Sequence, residues 1–417
     1  MTFPAPRTQP LVGHLGRWGT DPLALLEEGA ALAPVFRLRL WRPAVVGSSP
    51  AWNRFVLSDL DTFRSRGSLS GLSPYLAGGV VRSDEPEHRR QRSQLNPGFH
   101  RRSIATMTPA LRTVVERNLP VGEFDAVEWS AALTQELLAV AFFGGTFPRD
   151  LLRDFVEPLD TRPPGPFLRR PRLFRHMNRA ITEALLHAQD ATLAATFAAV
   201  TDGVEEARVA LGAAYDTTAH TLAWLLWHVA DRPADTADRP ADTADRPADT
   251  GSEDATDRPG VGEPASIEQI VSETLRLYPA GWLGSRVAAR NVEFDGTAIA
   301  AGTLMFYSPY LTHRDPLLWP DPLTFRPERF ADPLPAWGYL PFSAGARTCL
   351  GAGLATSILR IVAGALPGQL TRVTTAQTLR AGLTLAPAGP ILVRRAPIPP
   401  IPPAAGKPNA AAGVVAR

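Results

Sequence analysis

The stretch "FSAGARTCLG", Phe342 to Gly351, holds the only cysteine in a chain of 417 residues. It lies among small residues and glycines that neither a helix nor a strand interior favours. A free cysteine taken at random is most often a buried small hydrophobe. The neighbours here point elsewhere. Gly345 and Gly351 allow backbone conformations and close approaches that a β-carbon would block, Arg347 supplies a fixed cation, and Phe342 supplies an aromatic wall. A thiolate that must ligate a large flat metal-bearing group needs a loop of this kind, with backbone amides near the sulfur and no side chain in the way.

Composition narrows what such a loop could serve. Apolar residues make up 45% of the chain and charged residues 20%, the balance of a folded globular protein. A net charge of +2 argues against a nucleic-acid partner, and the basic side is almost all arginine, with Lys407 the sole lysine. One cysteine rules out an internal disulfide and suits a reducing compartment. The opening "MTFPAPRTQPLVGHLGRWGTDP" is broken by prolines and charges, so a cytoplasmic protein without a membrane anchor is expected.

Periodicity places helices in the middle of the chain and short strands towards its ends. "VFRLRLWRPAVVG" (35–47) alternates and then runs apolar, which reads as a strand pair. "SAALTQELLAVAFFG" (130–144) has a serine start, a broad apolar face and a terminal glycine, the signals of a helix. The longest candidate, "GVEEARVALGAAYDTTAHTLAWLLWHVA" (203–230), would span roughly 42 Å at about 1.5 Å per residue. Its charged residues exclude a membrane span. It is followed by "DRPADTADRPADTADRPADT" (231–250), a seven-residue unit in tandem. Every unit carries a proline and none has the apolar seam of a coiled coil, so a polar, flexible insertion over 231–260 is expected. Residues 396–417 are rich in proline and alanine and read as a disordered tail, which leaves 1–395 as one domain.

The pattern Phe-x-x-Gly-x-Arg-x-Cys-x-Gly closely resembles the haem-binding loop of the cytochrome P-450 family, and other signatures follow in order. "ETLR" sets Glu273 and Arg276 on one helical face, and "FRPERF" supplies Arg329. "EHRRQR" sets His88 and Arg92 at i and i+4, and "PAGWLGSR" ends in Arg286. The resemblance covers most of the chain, from about residue 9 to residue 395. It implies a mainly α fold with small β-sheets and a long central helix over haem b (iron protoporphyrin IX). Cys349 would be the axial thiolate ligand of the iron, with Phe342, Gly345, Arg347 and Gly351 shaping its loop. His88, Arg92, Arg286 and Arg347 would bind the haem carboxylates. Glu273, Arg276 and Arg329 would form a buried structural ion network.

In the same family the long helix carries an acid–alcohol pair near its centre, which in "AAYDTT" matches Asp216 and Thr217. Their implied role is catalytic, relaying protons where the helix opens locally to water. A bland alternative is a threonine bonded back to its own helix. Ala214 stands where the family usually has glycine, and its extra methyl would narrow the groove expected there. The segment between Phe147 and Gly203, which would roof the substrate pocket, is compact and includes the basic "TRPPGPFLRRPRLFR" (161–175), which reads as a solvated loop.

The implied activity is insertion of one atom of O2 into an apolar small molecule, by hydroxylation or epoxidation in bacterial secondary metabolism. Electrons would come from NAD(P)H through a ferredoxin and its reductase, since one cysteine cannot hold an iron–sulfur cluster. Two alternatives stay open. One is a haem-thiolate enzyme that uses peroxide or rearranges its substrate, and the other is a non-catalytic binding or recruitment protein.

Overall fold

The alternation at 35–47 becomes an antiparallel pair, Val35–Arg39 with Pro43–Gly47, which sets Phe36 opposite Val46. Pro43–Gly47 then runs parallel to Leu304–Tyr307, Gly284–Ala288 pairs antiparallel with that strand, and Phe63–Arg64 closes a five-stranded sheet. Strands from the first and last thirds of the chain thus share one sheet. Trp52 locks it to the Pro50–Ser58 helix by donating its indole N–H to the Phe306 carbonyl at 2.7 Å. This computed structural model describes residues 2–161, 165–232, 265–366 and 368–396.

Helices form the larger part. Ala126–Phe143 starts four residues before the expected Ser130, because Asp125 is the cap: its carboxylate accepts from the Val127 amide at 2.9 Å. It stops at Gly144, whose φ of 69° is the left-handed value that glycine adopts without strain. The long helix is Gly203–Val229, 27 residues and so about 40 Å. Its second half drives Leu222, Trp224, Leu225 and Leu226 into the main apolar core beside Leu137, Phe142 and Ile358. Arg149–Asp160 and Pro171–Leu186 pack across the first half as the expected roof. Ile267–Leu277, opened by a Ser266/Gln269 capping box, and Ala352–Ala365 pack against the long helix from other sides.

The expected repeat insertion lies outside the described residues, apart from its first two. Asp231 is tied down: its amide donates to the Leu370 carbonyl at 2.9 Å, and its carboxylate accepts from the Arg372 amide at 3.1 Å. Arg232 stacks its guanidinium 5.0 Å from the Phe325 ring centre. The expected tail also lies outside, apart from Ala396. Among the described residues no helix is long and apolar enough to cross a membrane.

Candidate active site

The cysteine loop is held by its backbone. Gly345 has φ +71°, and a β-carbon there would come within 2.9 Å of the Leu57 carbonyl oxygen, so no other residue fits without displacing the Pro50–Ser58 helix. The Cys349 amide donates to the Phe342 carbonyl at 2.8 Å, which folds the loop back on itself. Burial pushes the Cys349 thiol up from its ordinary pKa, while the amides of Gly351 and Ala352, at the start of the Ala352–Ala365 helix, and the Arg92 guanidinium favour the thiolate. The sulfur is packed round by protein deeply enough for desolvation to dominate, and yet Cys349 is exposed. Both hold if it looks onto an internal space rather than onto the outer surface.

The cations expected to serve carboxylates gather around this loop. Arg92 Nη1 donates to the Thr348 carbonyl at 2.6 Å, one residue from the cysteine. Arg347 reaches the Ser83 carbonyl at 2.5 Å, with Asp84 farther off at 3.9 Å. Arg286 donates to the Ser285 carbonyl at 2.8 Å and lies 5.9 Å from the Tyr307 ring centre. Burial, and then repulsion from Arg286, pulls Arg347 down to about 10. The Nε groups of Arg286 and Arg347 are buried without partners. His88 is buried too; its Nδ1 meets Glu85 Oε1 at 2.9 Å, and desolvation lowers its pKa.

Along the long helix one stripe departs from the burial around it. Ala210, Ala213, Ala214 and Thr217 are partly exposed in the middle of a helix whose following residues are nearly all buried. These positions share one helical face, so that face borders open space inside the protein. Thr217 Oγ1 bonds back to the carbonyls of Ala213 at 2.8 Å and Ala214 at 3.3 Å, as the bland alternative supposed. The local opening expected here is absent, for the helix is continuous from Gly203 to Val229. The threonine hydroxyl shares those carbonyls with the ladder instead of parting it, and alanine at 214 keeps a better helix former than glycine would be.

Asp216 turns to another side. It is 2% exposed; its Oδ2 accepts from the Thr384 hydroxyl at 2.7 Å, and its Oδ1 lies 3.3 Å from His220 Nδ1. Burial raises its pKa most strongly, with His220 opposing. His220 Nε2 meets Asp160 Oδ1 at 3.0 Å, and the Arg380 guanidinium meets that oxygen at the same distance. Burial pushes Asp160 up, but the bond from His220 and the two nearby positive groups outweigh it and lower its pKa. Two carboxylates thus flank opposite nitrogens of one imidazole. That geometry suits passage of a proton through the ring better than a metal, which would need the three ligands to converge on one point. Sequence reading missed His220, although its place four residues after Asp216 could have flagged it. Asp160, Arg380 and Thr384 gave no sequence signal.

Glu273, Arg276 and Arg329 meet as expected. Arg276 grips Glu273 through two bonds of 2.6 and 2.8 Å, and Arg329 Nε joins Glu273 Oε1 at 3.1 Å. The Glu273 and Arg276 side chains are fully buried, and the remaining guanidinium donors go to carbonyls of His313, Pro320, Asp321, Pro322 and Thr324.

These residues fit haem. A soft sulfur donor is exposed within a loop enclosed by protein, and two neighbouring guanidiniums keep buried, unpartnered Nε groups and repel one another, so an anionic group with two carboxylates would relieve them.

Comparison with known proteins gives the same reading. The cytochrome P450 family model matches residues 175–366. A cytochrome P450 of Mycobacterium tuberculosis is 29% identical over 76% of this chain and 85% of its own length. Cyclooctatin synthase of Streptomyces melanosporofaciens is 27% identical over 91% and 93%, and cyclooctat-9-en-7-ol 5-monooxygenase of the same organism is 27% identical over 85% and 86%. A lone thiol set in this loop, in a chain that follows such enzymes along most of their length, makes this protein a member of the cytochrome P450 family of haem-thiolate monooxygenases.

Proposed function

We propose that this monooxygenase acts in secondary metabolism on a small molecule with an apolar body, using Cys349 as the thiolate ligand of haem. The relatives named for cyclooctatin chemistry support that setting. The observation that carries the site assignment is the Cys349 sulfur, which is set among protein atoms and approached by two backbone amides and yet is exposed. Haem, when bound, supplies O2 activation and the insertion of one oxygen atom into a C–H or C=C bond. His88, Arg92, Arg286 and Arg347 hold its carboxylates, and the Glu273–Arg276–Arg329 network keeps the cysteine side of the fold rigid.

Thr217 presents its hydroxyl on the open face of the long helix, where it can hand a proton onward. Asp216, one residue away, is supplied from outside. Asp160 is 37% exposed at its side chain and bonds one nitrogen of His220, whose other nitrogen faces Asp216 and the Thr384 hydroxyl. A proton entering at Asp160 can leave the far side of the imidazole towards Asp216. Electrons come from a ferredoxin and its reductase drawing on NAD(P)H, as the single cysteine leaves no cluster of its own. The test uses isotopically labelled O2 with a surrogate ferredoxin system and a panel of cyclic apolar alcohols and acids. One labelled atom per product supports the proposal. Label-free product, or turnover with peroxide alone, would replace it with the peroxide-using or rearranging alternative.

A further inference from the structure

Where the roof meets the long helix, three buried polar groups have no hydrogen-bond partner among the described residues, and the site described above does not use them. The Tyr75 hydroxyl is fully buried and unbonded, and the Nε groups of Arg170 and Arg208 are buried and unbonded as well. Tyr75 and Arg208 meet at one ring, and Arg170 lies beside Tyr75. Tyr75 lies 5.1 Å from Phe174 and 5.1 Å from Phe155, and the Arg208 guanidinium sits 5.0 Å from the Phe174 ring centre. Arg170, the residue before the Pro171–Leu186 helix, lies against the phenol: its charge and a loose side-chain contact oppose the rise that burial imposes on the Tyr75 pKa, while neither the phenol oxygen nor Arg170 Nε makes a well-formed hydrogen bond.

A buried donor without an acceptor costs free energy, and two guanidiniums and a phenol at one aromatic cluster are donors in want of the same thing. Among the described residues little is placed to neutralise them. Glu205 attracts Arg208 but is turned towards Gly78, and residues 165–179 contain five arginines and no acid. The cluster also adjoins the open stripe. Tyr75 packs on the long helix at Gly212, whose neighbour Ala213 belongs to that stripe, and Arg208 lies one turn before Gly212.

We propose that Tyr75, Arg170 and Arg208 form an oxyanion site for the substrate, whose class is therefore an amphipathic organic acid with a carboxylate at one end and an apolar body. This rests on the monooxygenase reading and specifies its substrate. From Arg208 to Thr217 is nine residues, about 13 Å along the helix, so the acid is bound at one end and oxidised well away from it. The bidentate fork of arginine suits a carboxylate, and the exposed arginines of the roof steer anions inward.

The test is calorimetric titration of the full-length, haem-loaded protein with paired probes at neutral pH: dodecanoate against dodecanamide, and tetradecanoate against tetradecanamide. In the wild type each acid binds about ten-fold or more tightly than its amide. Arg208→Gln, Arg170→Gln and Tyr75→Phe each shrink that preference, whereas Arg208→Lys keeps much of it. If no acid binds more tightly than its amide in the wild type, or if the preference survives in Arg208→Gln and Arg170→Gln, the proposal is overturned. The reduced, carbon monoxide-bound spectrum of each protein separates this failure from failure of the haem site, because the acid preference is read by heat and not by turnover.

Discussion

At Thr217 and Asp216 the chemistry depends on two neighbouring side chains that face different surroundings. The Thr217 hydroxyl is bonded only to carbonyls of its own helix, so Thr217→Ala loses about 1 kcal/mol of stability or less and leaves fold and haem spectrum intact. The expected change lies in coupling: less product per NAD(P)H consumed and more peroxide. Equal coupling in the two proteins would remove the threonine from proton delivery. Glu273 is the contrasting residue. Its carboxylate neutralises Arg276 and Arg329 in a dry interior, and Glu273→Gln strands those charges at a cost of about 3–5 kcal/mol. Denaturant unfolding should show a lower midpoint together with loss of haem from the purified protein; an unchanged midpoint would mean that the network is dispensable. Much of this was legible from spacing, because Glu-x-x-Arg and Asp-Thr each lie within a single turn. The partners of His220 were not, since Asp160 and Thr384 lie 60 and 164 residues away in sequence and meet it only once the chain has folded.

The long helix gathers these residues, and its boundaries could be read almost to the residue from apolar periodicity. Its continuity could not. Whether Thr217 parts the helix depends on competition between its hydroxyl and the backbone ladder for the same carbonyls, which residue identities alone do not decide. Ala214 bears on that balance. Ala214→Gly should destabilise the protein by about 1 kcal/mol through helix propensity, while loosening the turn at Thr217. The account expects less peroxide leakage in this variant, and a rise in leakage would show that the alanine helps to hold the productive geometry. The start of the 126–143 helix was misplaced for a related reason. Ser130 looked like a cap, but it is fully buried, and Asp125 caps the helix instead.

For the whole molecule, three buried histidines set the acid limit. Desolvation comes first among the causes that lower His88, hold His228 well below its ordinary pKa and bring His313 to about 3. His313 donates Nδ1–H to the Arg276 carbonyl at 3.0 Å and accepts from the Leu340 amide at 2.7 Å, so it must stay neutral to keep both bonds. The folded chain binds protons at these histidines more weakly than the unfolded chain does, so their contribution is present above about pH 6.5 and is lost progressively as pH falls. His313 alone should cost roughly 2 kcal/mol between pH 6.5 and pH 5. Urea unfolding across that range should show the fall, and His313→Gln should flatten it; a flat profile in the wild type would contradict the burial argument.

The fold as a whole was legible because its decisive signatures are short and ordered, with the cysteine loop chief among them, whereas the unpartnered roof cations appear only when distant segments are brought together. The most direct test of the central claim is the difference spectrum of the reduced protein with and without carbon monoxide, recorded for the wild type and for Cys349→Ala. Thiolate ligation by Cys349 gives the red-shifted Soret band in the wild type and its loss in the variant. An imidazole-type spectrum in the wild type, or an unchanged band in Cys349→Ala, would contradict it.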